Sequence, residues 1–142
     1  LGALSLKERE LLQSLPPPST PASPSPSGLS VEDRGKCLSQ GIAEACQAAA
    51  APDRLDRSAF KRRQQRHLTL GGEGGPAFDF EAFAPEVFRE MRSSFFSITE
   101  ESFISSISLR PLSGGQKGEG KSGMLFFFSW DKRYIVKTVT GE

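Results

Sequence analysis

The chain has 142 residues, a net charge of +1 and two cysteines, Cys37 and Cys46. The length allows one ordinary domain, and a near-neutral charge gives no bulk electrostatic signal for nucleic acid. No apolar stretch approaches the roughly 18 residues of a membrane span, and the N-terminus lacks the layout of a secretory signal. Two thiols at this spacing form neither a zinc set nor a disulfide framework, which favours a reducing compartment.

Aromatic residues divide the chain into two parts. Phe60 is the one aromatic residue before Phe78, and ten phenylalanines, Trp130 and Tyr134 follow from there. Because aromatic side chains dominate core energetics, we expect folding mainly after residue 78. The chain begins at Leu1 rather than Met and stops directly after a strand-like stretch, so we expect it to be cut at both ends.

Residues 1–77 are predicted to be a disordered or weakly helical segment. Residues 1–15 carry a short leucine pattern, and residues 16–30 hold six of the ten prolines, a composition that cannot offset its ordering entropy. Ser30 is predicted to cap a helix from Val31 to about Ala51. Gly35 and Gly41 weaken that prediction.

The stretch 54–66 is basic and is followed by a single histidine, His67. Two readings are open: attraction to an anionic membrane, or a solvated charged stretch that is helical or disordered, which we favour. His67 has no partner at a useful spacing and is assigned no role. The basic residues are Arg54, Arg57, Lys61, Arg62, Arg63 and Arg66.

Two helices are predicted after residue 78. Apolar residues at helical spacing predict an amphipathic helix from Pro85 to Phe96, and Thr99 is predicted to cap a second, short helix. We assign the aromatic and aliphatic residues of both helices to the core. These are Val87, Phe88, Met91 and Phe95 in the first helix, and Phe103, Ile104 and Ile107 in the second.

A glycine-rich segment and a β-hairpin are predicted next. Five glycines in 113–123 argue against regular structure and permit close approach to a ligand. Strand-type residues then fill 124–129 and 133–139, separated by a turn at Asp131–Lys132. The predicted fold class is α+β.

Lys137 stands out because it shares a strand face with Ile135 and Val139. Burial of an unpaired lysine is costly, so one reading is a solvent-facing lysine on an edge strand. The hairpin turn would place Lys137 opposite Phe126 or Leu125, roughly 7–10 Å from the end of the glycine segment at strand rise. A glycine-rich loop near a strand lysine is how kinases grip phosphates.

A second nucleotide-binding pattern overlaps the glycine segment. Residues 115–122 match G-x-x-x-x-G-K-[ST], which requires a strand before it and a helix after it. Pro111 interrupts a strand before the motif, and strand-type residues follow Ser122. A P-loop NTPase therefore ranks below a kinase.

Four segments together resemble the N-terminal part of a phosphatidylinositol phosphate kinase domain, of the phosphatidylinositol-4-phosphate 5-kinase type. They are Phe83–Arg89, Ile98–Phe103, Gly120–Gly123 and Asp131–Val139. The resemblance covers residues 78–142 and implies a truncated kinase N-lobe. Met124, Leu125 and the glycine-rich insertion at 114–119 depart from the family's pattern.

The resemblance implies ATP as a ligand. Lys137 would contact its α- and β-phosphates, and Gly120, Lys121, Ser122 and Gly123 would cover them. The family's catalytic residues and Mg²⁺ ligands lie beyond Lys137, so no catalytic or metal residue is assigned here, and the chain alone is expected to be inactive.

The resemblance also implies a place in the cell. The full protein would phosphorylate the 5-hydroxyl of phosphatidylinositol 4-phosphate. It would be cytoplasmic and peripheral at an anionic membrane, the plasma membrane, with no nucleic-acid partner and no transmembrane segment. A non-catalytic kinase-like scaffold is the main alternative.

Overall fold

The computed structural model describes residues 28–51, 54–117 and 123–139, and within these ranges it has three α-helices and two antiparallel sheets. The predicted α+β class is confirmed. The leucine pattern at 1–15 and most of the proline-rich stretch lie outside the described residues.

Helix α1 runs from Val31 to Ala48. Its cap is the predicted one, because the Ser30 hydroxyl accepts a hydrogen bond from the Asp33 amide at 3.1 Å. It ends three residues before the predicted Ala51.

The two glycines of α1 serve its packing. A methyl group at Gly35 would collide with the main-chain carbonyl of Leu112, and one at Gly41 would collide with the ring of Phe80. The glycines that weaken the helix locally therefore let it approach the rest of the chain.

Strands β1, Arg63–Thr69, and β2, Ala77–Phe83, form a two-stranded sheet. The expectation that the basic stretch 54–66 is helical or disordered is wrong for residues 63–66, which belong to β1. Because both faces of β1 carry polar residues, the alternation of polar and apolar residues that indicates a strand is not visible there, and the pairing partner lies beyond a turn. The pairing crosses the predicted boundary at residue 77, and the division into domains stays a prediction.

Helix α2 runs from Pro85 to Glu90 and continues as a π-helical turn, Met91–Phe95. Val87 is buried against Ala59 and Ala84. The predicted burial of the other apolar residues is wrong. Phe88 is 54% exposed and Phe95 78% exposed, and Met91 is also exposed. One narrow face of α2 reaches the small cluster around Val87, and the wider π-turn changes the helical spacing on which the prediction rested.

Helix α3 runs from Glu100 to Ser108, with the predicted Thr99 cap accepting from the Ser102 amide at 3.2 Å. Ile107 is buried, and Phe103 packs beside the same cluster. The predicted helix is confirmed. Its two sequence signals, the cap and the apolar spacing, both lie within the helix itself and its flanking residue.

The second sheet has the order β3-β4-β5. The predicted hairpin is confirmed as β4, Leu125–Phe128, and β5, Ile135–Lys137. Strand β3, Ser113–Lys117, corrects the expectation that the glycines exclude regular structure. A register shift between Gly114 and Gln116 interrupts its pairing with β4. The positive φ angles of the local glycines are therefore accommodated in a bulge.

The main core lies between this sheet and helices α1 and α3. Ile107, Leu112 and Phe127 form its buried centre. Residues of α1 complete it, so part of the segment before residue 78 belongs to the core. The residues that pack around the centre are Leu38, Ile42, Phe103, Leu125, Tyr134 and Val136.

Candidate nucleotide-binding site

Lys137 lies opposite Phe126 in the β4–β5 register, one of the two predicted pairings. Its ammonium nitrogen is 5.8 Å from the centroid of the Phe126 ring. The side chain is exposed, and its neighbours on the same face are exposed as well, Ile135 by 62% and Val139 by 80%. The lysine therefore stands on an open, partly apolar face at the edge of the sheet.

The glycine-rich segment connects two neighbouring strands. Lys117 and Leu125 are paired in the β3–β4 register, so residues 118–124 form the connection between them. Gly123 has a φ of +61°, a left-handed conformation that favours glycine. Gly120, Lys121 and Ser122 lie outside the described residues.

The sheet aligns the end of this connection with Lys137. Gln116, Phe126 and Lys137 occupy adjacent positions across the three strands, one row away from the connection. Protein kinases likewise have a glycine-rich loop over the phosphates and a lysine on a nearby strand. Main-chain N–H groups and an ammonium are suitable partners for phosphate oxygens.

The P-loop context is not found in the residues described around the motif. Its first residues belong to strand β3, and strand β4 begins at Leu125. A P-loop requires a helix directly after its Lys-Ser pair, whose N-terminus faces the phosphates. The surrounding fold therefore favours the kinase interpretation of the glycines.

The turn of the hairpin is fixed to α3 by Asp131. Its Oδ2 accepts from the Ser106 hydroxyl at 2.5 Å, and its Oδ1 accepts from the Ser129 hydroxyl at 2.7 Å. These bonds, that of Ser106 above all, lower the pKa of Asp131. Sequence reasoning missed this network, because Ser106 lies 25 residues before Asp131.

The cysteines and His67 carry no sign of chemistry. Cys37 and Cys46 are free and buried, and burial raises the pKa of Cys46 to about 12, so its thiol is unreactive. His67 Nδ1 lies 2.7 Å from Asp79 Oδ1 on the paired strand. The sequence did not indicate this exposed contact, because it depends on the β1–β2 register.

The same described ranges lack both a metal-ligand cluster and a membrane-spanning helix. They contain no group of three or more His, Cys, Asp or Glu residues that could hold a metal ion. None of their helices combines the length and apolar character needed to cross a bilayer.

Part of the chain is similar to curated proteins of one family. The chain is 38% identical over 88 residues to phosphatidylinositol 5-phosphate 4-kinase type-2 alpha of Gallus gallus, a match that covers 61% of this chain and 21% of that protein. It is 36% identical over 62 residues to a phosphatidylinositol 4-phosphate 5-kinase of Schizosaccharomyces pombe, covering 44% and 8%. The chain is therefore similar over about half of its length to phosphatidylinositol phosphate kinases.

A third relative supports the same family. A probable phosphatidylinositol phosphate kinase of Dictyostelium discoideum is 38% identical over 69 residues, 44% of this chain and 9% of that protein. No protein-family model matches the chain. The chain spans about a fifth of the length of the phosphatidylinositol phosphate kinase from Gallus gallus. The resemblance predicted from the sequence is confirmed at the level of the family.

Proposed function

We propose that this chain supplies the ATP-anchoring part of a phosphatidylinositol phosphate kinase. Lys137 binds the α- and β-phosphates, and Gly120, Lys121, Ser122 and Gly123 cover them. The observation that carries the proposal is the register of the three-stranded sheet, which aligns Lys137 with the end of the glycine-rich connection. The family relationship supports it independently.

The exposed face around Lys137 suits a nucleotide in two ways. The Lys137 side chain is exposed, and it forms no ion pair with the residues that the structure describes. Ile135 and Val139 offer exposed apolar surface, and ligand sites usually combine apolar surface with a few polar groups.

ATP titration of the purified chain in the presence of Mg²⁺ tests the proposal. Lys137→Met should weaken ATP binding by at least about tenfold, because it removes a charge-assisted contact. Lys121→Met should have the smaller effect. A P-loop predicts the opposite order, and undetectable binding by the unmodified chain would overturn the proposal.

Lys132→Asn is the matched control for these variants. Lys132 also lies near a phenylalanine of β4, with its nitrogen 5.4 Å from the Phe128 ring centroid, but it belongs to the turn at the far end of the hairpin. Asparagine tolerates its φ of +61°. Unchanged ATP affinity in this variant shows that losing one surface lysine is not sufficient to weaken binding.

The proposed reaction of the full kinase is transfer of the γ-phosphoryl group to an inositol lipid at the cytoplasmic face of an anionic membrane. Phosphoryl transfer also needs Mg²⁺ ligands and a group that orients the nucleophile, and we assign neither to this chain. The expected acceptor is the 5-hydroxyl of phosphatidylinositol 4-phosphate. The relatives include kinases named for either isomer.

A lipid assay tests the predicted inactivity of the chain. The chain is incubated with ATP, Mg²⁺ and vesicles that carry phosphatidylinositol 4-phosphate or phosphatidylinositol 5-phosphate. No transfer is expected. A phosphorylated lipid would refute the predicted inactivity, and the substrate consumed would identify the isomer.

A non-catalytic scaffold is the second candidate. The exposed side chains of Phe88, Phe95 and Phe96 on α2 and its π-turn favour it, because exposed apolar clusters often mark protein contacts. The ATP titration separates the two functions, since a scaffold does not require nucleotide.

A further inference from the structure

Side-chain hydroxyl groups terminate the β4–β5 hairpin at both ends. At the turn, the Ser129 amide donates to the Tyr134 carbonyl at 3.0 Å, and the Tyr134 amide donates to the Ser129 hydroxyl at 3.0 Å. At the open end, the Thr138 amide donates to the Leu125 carbonyl at 2.9 Å, and the Leu125 amide donates to Thr138 Oγ1 at 2.8 Å. An ordinary antiparallel pair would use main-chain carbonyls throughout.

The open end coincides with the candidate nucleotide site. Leu125 is the first residue of β4 after the glycine-rich connection, and Thr138 directly follows Lys137. The Thr138 hydroxyl therefore binds the amide at the point where the connection enters the sheet. Two hydrogen bonds join Leu125 to the residue beside the candidate ATP lysine, and one of them uses the Thr138 hydroxyl.

We propose that Thr138 is a positioning residue for the phosphate site, an inference that rests on the proposed function. It does not itself contact the nucleotide. Its hydroxyl fixes the Leu125 amide and so sets where Gly123 stands relative to Lys137. Without it, a half-buried N–H loses its acceptor and Gly123 can shift. Displacement of a binding group by about 1 Å is enough to weaken a preorganised site.

Two substitutions at Thr138 test the hydroxyl. Thr138→Val keeps the shape and removes the acceptor, and we expect its ATP affinity to fall by about tenfold. Thr138→Ser retains the hydroxyl and should bind ATP within about twofold of the unmodified chain. The inference would be overturned if Thr138→Val bound ATP as tightly as the unmodified chain. It would also be overturned if Thr138→Ser lost as much ATP affinity as Thr138→Val.

Ser129→Ala is the matched control. It also removes the hydroxyl acceptor of a strand-end amide in the same hairpin, but at the end away from the site. We expect it to lower the thermal stability at least as much as Thr138→Val while leaving the ATP affinity unchanged. A parallel loss of affinity in Ser129→Ala would mean that hairpin stability alone controls binding, which contradicts a positioning role.

Hydrogen exchange separates this inference from the proposed function. The Leu125 amide should be protected in the unmodified chain, and Thr138→Val should accelerate its exchange more than that of the Phe127 amide. If exchange accelerates more at Leu125 than at Phe127 but the unmodified chain binds no ATP, the nucleotide function is refuted while the Leu125–Thr138 hydrogen bond is retained. If the Leu125 amide exchanges equally fast in the unmodified chain and in Thr138→Val, the role of that hydrogen bond is refuted.

Discussion

Asp131 shows how one carboxylate organises the hairpin turn. It accepts hydrogen bonds from Ser106 and Ser129 and a third from the Arg133 amide at 3.2 Å. Bonds to the ionised form lower the pKa of Asp131, and Ser106 is the largest cause. The folded state therefore favours the carboxylate more than the unfolded state does.

This preference predicts how the contribution of Ser106 varies with pH. Because the folded-state pKa is depressed, the stabilisation is complete above the ordinary aspartate value of about 3.9 and is lost as the pH falls through the folded-state pKa. The Ser106→Ala chain should melt below the unmodified chain at pH 7, and the difference should shrink progressively below about pH 4. Thermal unfolding across this range measures it.

Ser108→Ala provides the comparison for Ser106→Ala. The Ser108 hydroxyl donates to the Ile104 carbonyl within the same helix at 2.8 Å, a bond with no titrating partner. Its effect on the melting temperature should not change with pH. A pH-independent difference for Ser106→Ala would contradict the assigned role of the Asp131 carboxylate.

At the scale of elements, a partly buried ion pair joins the π-turn after α2 to α3. Arg92 donates to both carboxylate oxygens of Glu100, with Nη2 2.7 Å from Oε1 and Nε 3.2 Å from Oε2. The guanidinium lies 4.2 Å from the centroid of the Phe103 ring, and Nη2 is 3.6 Å from the Cys46 sulfur of α1. Arg92 therefore connects three helical elements.

Arg92→Ala should lower the free energy of unfolding by about 3 kcal/mol, because it leaves Glu100 largely buried without its partner. The side chains of Arg92 and Glu100 are 16% and 11% exposed. Denaturant unfolding measures the loss. Arg63→Ala is the control, since the exposed Arg63–Glu81 pair at 3.7 Å should contribute at most about 1 kcal/mol. Equal losses would show that burial does not strengthen the Arg92 pair.

Elements with local signals were predictable, and those without were not. The Ser30 and Thr99 caps lie within three residues of the amides they bind, so a short window of sequence contains each whole signal. Strand β1 has polar residues on both faces, and β3 contains the glycines of a bulge. Each is a strand because its partner strand supplies the hydrogen bonds, although its own residues show no strand-type pattern.

At the scale of the whole molecule, α1 joins residues before and after residue 78. The buried Ser39 hydroxyl accepts from the Leu112 amide at 2.7 Å, and Gly35 lies against the Leu112 carbonyl. Leu38 and Ile42 pack around the cluster that contains Phe127. The helix and the hairpin therefore share one core.

Phe127→Ala tests this shared core. Removing a fully buried phenylalanine should cost about 3–5 kcal/mol, and α1 should unfold together with the hairpin. Far-UV circular dichroism follows the helices, and Trp130 fluorescence follows the hairpin turn. Phe128→Ala, on the more open face, should cost less. A helical signal that survives the loss of the Trp130 signal would contradict a shared core.

The sequence likewise predicted some features of the candidate site and not others. The hairpin turn and its period of two narrowed the partner of Lys137 to Phe126 or Leu125, because strand-type residues lie on both sides of one turn. The acceptor role of Thr138 could not be read from the sequence, because a threonine in a strand has many possible partners. Only the paired strands show that its hydroxyl replaces a main-chain carbonyl.

The sequence by itself determined the helix caps, the β4–β5 hairpin, the pairing of Lys137 with either Phe126 or Leu125, and the resemblance to phosphatidylinositol phosphate kinases. These depend on residues close together in the chain or on short motifs. The tertiary structure decided the strand character of β1 and β3, the close packing at Gly35 and Gly41, and the exposure of Phe88 and Phe95. Each of these depends on the surface or partner strand that a residue meets, and burial and pairing energies overrule local preference there.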